Sequence, residues 1–104
     1  MSPQDVRIKK LVEAVLIRHH VNSQKADVDV IKQNVYLDGE FHYMGEIALD
    51  EETDEAGRLA YQTKAKQILN VIEKDIKKID EIESVSFNFR NWIKAGGNWA
   101  HQNQ

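Results

Sequence analysis

The spacing of apolar residues switches period three times along this chain, and that succession most limits what the chain can fold into. Ile8, Leu11, Val12, Val15 and Leu16 recur at three- and four-residue steps, the stripe of an amphipathic helix running to about His19. Val28 and Val30 then alternate with Asp27 and Asp29. Val35, Leu37 and Phe41 alternate with Tyr36, Asp38 and Glu40, so two strands are predicted. The helical step returns at Ala65, Ile68, Leu69, Ile72, Ile76 and Ile79, over about Leu59 to Ile79. Alternation returns at Val85, Phe87 and Phe89.

The order is helix, strand, strand, helix, strand. A sheet with one apolar face needs a cover, and the two striped helices supply it. The expected fold is therefore α+β: an αββαβ arrangement with a three-stranded mixed sheet and both helices packed on one face. Pro3 opens the first helix, with Ser2 or Asp5 as its cap. Asn22 and Ser23 mark a turn. Lys32-Gln33-Asn34 is the break between the first two strands, with Asn34 suited to a left-handed backbone. One position breaks the pattern. Gly39 sits in register with Val35 and Leu37, where an apolar side chain is expected. It leaves room for a helix backbone or a large side chain to approach closely, or else marks a bulge.

The chain is 104 residues long, enough for one domain and one modest core. Its 41% apolar and 30% charged content fit a globular protein. It has no cysteine, which excludes disulfides and thiolate metal sites. No apolar run approaches the ~20 residues that span a bilayer, and MSPQDVRIKK lacks a secretory h-region, so the chain is expected to stay where it is made. Charge is uneven. Residues 1–25 carry net +3, residues 26–62 net −8 and residues 63–104 net +2. The segment 44–57, with Glu46, Asp50, Glu51, Glu52, Asp54 and Glu55, reads as an exposed acidic loop that repels phosphate backbones. Residues 94–104, with Gly96-Gly97, read as a flexible C-terminal tail unless Trp99 docks. The domain is accordingly placed at 1–93.

Val28-Asp29-Val30 followed by Asn34-Val35-Tyr36-Leu37-Asp38-Gly39-Glu40-Phe41 resembles the core of the BON domain (bacterial OsmY and nodulation). Ile79-Asp80-Glu81-Ile82-Glu83-Ser84-Val85 occupies the place of that family's closing Gly-Val-x-x-Val segment, and the resemblance covers about residues 6–90. Glu81 stands where the family usually has glycine, so the exit of the second helix must turn differently or strain that residue. The resemblance implies a small αββαβ domain without catalytic residues or cofactor, often part of larger envelope proteins and described as binding phospholipid surfaces or other envelope components.

Three groups of residues are candidates for contact. Arg7, Lys10 and Arg18 flank the first helical stripe and could meet anionic lipid headgroups. Tyr36, Trp92 and Trp99, with Ile31, are the aromatic and apolar residues the core least explains, and such residues favour protein contacts. The sheet edges can pair with another chain, including a second copy. His19-His20 are adjacent and point apart, so they make a poor metal pair. Asp29, Asp38, Glu40 and His42 share the outward face and read as a solvated surface. No nucleophile elbow, phosphate loop or nucleotide fingerprint is present, and an enzyme is not expected. The competing reading is a KH-like nucleic-acid-binding domain. It needs a Gly-x-x-Gly loop between helices, which the sequence lacks, and the acidic middle third opposes it.

Overall fold

The computed structural model describes residues 2–45 and 54–102. Helix α1 spans Pro3–Arg18. Ser2 is its cap: the Oγ accepts the Asp5 amide at 3.1 Å, and Pro3 follows at the first helical position. At its other end His20 turns left-handed, with φ 61°. The amide of His20 then donates to Ile17 O and that of Val21 to Leu16 O, while Leu16 and Val21 are both buried. This is the Schellman arrangement, built on histidine instead of glycine. Ile8, Val12, Val15 and Leu16 are buried as the stripe requires, whereas Leu11 lies at its margin, 38% exposed.

Strand β1 is Ala26–Ile31 and strand β2 is Asn34–Gly39. They pair antiparallel through a two-residue turn in which Lys32 and Gln33 both have positive φ, 49° and 69°. Two consecutive left-handed residues match the right-handed twist of the flanking strands. Asn34, expected in that role, instead begins β2 opposite Ile31. The turn is held from below. The Asp5 carboxylate, buried in the first turn of α1, accepts the amides of Lys32 and Gln33 at 3.1 and 3.0 Å. These bonds give the buried charge its hydrogen-bond partners and stabilise a turn made from residues that disfavour it.

Helix α2 covers Asp54–Lys77 and β3 covers Ser84–Phe89. The helix begins five residues earlier than expected, so Asp54 and Glu55 open it; residues 46–53 of the expected acidic loop lie outside the described residues. Ala65, Leu69, Ile72 and Ile76 are buried. Strand β3 runs parallel to β2, pairing Val35 with Val85, Leu37 with Phe87 and Gly39 with Phe89. The sheet is mixed, in the order β1-β2-β3. Its apolar face joins the stripes of both helices in one core, as expected. Glu81 shows no left-handed backbone; its carbonyl accepts the Gln33 side chain at 2.9 Å.

Two expectations need correction. Gly39 is half-buried with φ 89°, and a Cβ there would run into the carbonyl oxygen of Lys25. The close neighbour is the chain leading into β1, and no helix approaches the glycine that closely. The Lys25 carbonyl accepts the Glu40 amide at 2.9 Å, which brings the two backbones together. The second correction concerns the tail. Trp92–Ala95 and Asn98–His101 form strands β4 and β5, an antiparallel hairpin turned by Gly96 and Gly97 at φ 59° and 82°. Trp92 and Trp99 are each 2% exposed. Trp99 meets Phe87 edge-on at 5.3 Å and Trp92 meets Phe41 edge-on at 6.5 Å, so the hairpin belongs to the core beside β3 and α2. Asn91 fixes its start, because its side-chain amide both accepts the Phe41 amide and donates to the Phe41 carbonyl.

Candidate functional site

Burial removes two of the six predicted contact residues. Trp92 and Trp99 reach no surface; the hairpin turns both indoles into the aromatic cluster of Phe41, Phe87 and Phe89. Continued from β3, the even position of Trp92 reads as outward, and that parity misleads because a new strand begins at Trp92. Arg7 and Arg18 are exposed but engaged. Arg7 Nη2 lies 3.1 Å from Glu81 Oε1, and Arg18 Nη2 lies 3.2 Å from Asp75 Oδ2. Both guanidinium groups tie α1 to α2 or its exit. Lys10 stands exposed on α1. Tyr36 is half-buried at the centre of the open sheet face, between Asp29 and Ser86. The six residues therefore do not converge.

Two of the four histidines, His19 and His42, are held by carboxylates. His19 Nε2 lies 2.8 Å from Asp75 Oδ2, and that hydrogen bond, with the help of Arg18, lowers the Asp75 carboxyl below its ordinary range. His42 Nε2 lies 2.9 Å from Glu40 Oε1, and with Arg90 it lowers Glu40 likewise. Among the described residues no group of three or more metal-type side chains converges.

A concave feature does lie along β1, which has no strand on its outer side among the described residues. Between that open edge and α1 runs a groove of about 330 Å³. Lys9 and Glu13 of α1 line it from one side, with Ser23 of the turn before β1. Ala26 and Val28 line it with Asp27 and Asp29, and Asp38 of β2 adds another carboxylate. The alternation of β1 explains this lining. Ala26, Val28 and Val30 are buried under α1, so Asp27, Asp29 and Ile31 take the open face. The register sets Asp27 directly opposite Asp38. Like charges placed so destabilise a strand pair. None of Asp27, Asp29 and Asp38 takes part in an ion pair with the described residues. Sequence reasoning placed Asp29 and Asp38 on the outward face but not the groove. The signal for the acids was their parity. The groove itself has no sequence signal, because it depends on how far α1 stands from β1.

What these features define is a small α+β protein whose sheet, among the described residues, keeps an open, acid-rimmed edge beside a helix. Among the described residues no helix is long and apolar enough to cross a membrane. No protein-family profile matches the chain, and neither a characterised protein nor a solved structure is significantly similar to it.

Proposed function

We propose that this chain is a non-catalytic binding module, of the kind the BON resemblance implies, and that it holds an extended segment of a partner protein by strand addition along β1. The observation that carries this reading is the groove between α1 and the outer edge of β1, an edge unpaired among the described residues. An edge strand presents a row of free amides and carbonyls, and an incoming strand gains main-chain hydrogen bonds there. The six residues of β1 extend about 20 Å, room for a partner segment of similar length. A lipid surface is the weaker reading, since Arg7 and Arg18 are paired with Glu81 and Asp75 and carboxylates rim the groove.

The test is selection of binders from a displayed library of random decapeptides, followed by amide exchange and backbone chemical shifts of the bound chain. Backbone shifts across Ala26–Ile31 are expected to move, and the alternate amides that point away from β2 to gain protection, the Ala26 amide excepted because it already donates to Asn22 O. Binders that leave β1 unchanged and perturb α2 or the hairpin would overturn the reading. So would sedimentation with anionic vesicles that persists after Lys10→Glu while no peptide binds.

A further inference from the structure

We infer that the segment taken up along β1 carries lysine or arginine at alternate positions, and that the same acids keep β1 from pairing with a second copy of this chain. This rests on the strand-addition reading and specifies its partner.

An added strand sets alternate side chains beside Asp27 and Asp29 on the open face, at the short separations of cross-strand neighbours. Its intervening side chains point toward α1, next to Ala26 and Val28. The occupant that satisfies both faces alternates basic with apolar residues. Among the described lining residues the charge is one-sided: Glu13, Asp27, Asp29 and Asp38 against Lys9. The Asp27–Asp38 opposition lacks an ion-pair partner among the described residues, and a basic side chain set beside Asp27 from the outer side supplies a counter-charge to it.

Self-pairing meets the opposite outcome. A two-fold antiparallel pairing of β1 with its copy that keeps the faces aligned sets Asp27 against Asp29 of the copy, or Asp29 against itself. Either register stacks carboxylates on one face. Charged residues on an edge strand prevent this kind of association.

Three labelled heptapeptides separate the possibilities: valine at alternate positions, with lysine, threonine or glutamate between. Fluorescence anisotropy should rank lysine about tenfold tighter than threonine at low salt, with glutamate weakest and the gap narrowing as salt rises. Asp27→Asn/Asp29→Asn, two exposed substitutions, should bring the lysine peptide to the level of threonine. Equal binding of the lysine and threonine peptides at β1 overturns the charge inference and leaves strand addition intact. Failure of all three to bind β1 overturns the strand-addition reading itself. Sedimentation of the parent chain should show no dimer whose β1 amides are protected, and finding one overturns the self-exclusion.

Discussion

Lys94 Nζ lies 2.6 Å from both carboxylate oxygens of Glu73, joining β4 to α2. Lys77 adds a third hydrogen bond at 3.1 Å, and the ammonium of Lys94 also sits 5.9 Å from the centre of the Trp99 ring. Glu73 is a largely buried acid on an otherwise apolar helix face. Glu73→Gln is expected to cost about 1–2 kcal/mol, because it removes the charge from these bonds and leaves Lys94 partly desolvated. Lys94→Met should cost less, since Glu73 keeps Lys77. Urea unfolding of the two variants measures both, and a Glu73→Gln variant as stable as the parent would remove this pair from the account of how the hairpin is held.

Acidification should weaken the same region. Burial pushes the Glu73 carboxyl up, but hydrogen bonds from Lys94 and Lys77 outweigh it and the net shift is downward. Asp75 is lowered by its hydrogen bond from His19 and by Arg18. A carboxyl lowered in the folded state binds fewer protons there than in the unfolded chain. Its contribution is therefore present above the ordinary carboxylate range and is lost as pH falls through the lower folded value. Stability should decline from pH 5 downward, and Asp75→Asn with Glu73→Gln should flatten that decline. An unchanged slope in the double variant refutes the assignment.

Gly39→Ala is expected to cost about 2 kcal/mol or more, combining a positive φ with a clash against the Lys25 carbonyl. The comparison is Gly96→Ala, where a Cβ meets nothing within 4 Å and only the backbone conformation is penalised. Thermal unfolding should rank Gly39→Ala well below Gly96→Ala. Equal midpoints would show that Lys25 yields.

Asp5→Ala should cost about 2 kcal/mol, since two turn amides lose their acceptor. The exchange of the Lys32 and Gln33 amides reports it directly. Those two are expected to lose protection before the amides of β2, and a uniform change across the sheet would argue against a local clamp.

Trp99→Ala should cost about 3 kcal/mol, because it empties a site packed against Phe87 and the α2 face. Proteolysis after Lys94 should accelerate in that variant. Resistance equal to the parent's would mean that residues 92–101 are held without the indole.

Much of the architecture was legible in the residues. Ile8, Val12, Val15 and Leu16 announce the buried side of α1, and Val28, Val30, Val35 and Leu37 that of the first two strands. The hairpin of β4 and β5 was not legible. Its strands are four residues each, and on the face that carries Trp92 and Trp99 the remaining positions are the polar Lys94 and His101, so no apolar alternation marks them. Asp5 read as a helix cap because a sequence shows its neighbours in the chain, not the turn twenty-seven residues away that it bonds. The acids of the groove were visible by parity, while the space between them and α1 was not.

Local spacing determined the two helices and the three strands of the main sheet and which of their residues pack inward, because the helical and strand periods follow from backbone geometry within a few residues. The tertiary structure decided what closes the core, why position 39 excludes a side chain, and where a groove remains. Each of these depends on groups far apart in sequence that come together only when the elements dock: Lys25 at Gly39, Trp99 at Phe87, and α1 across the open edge of β1.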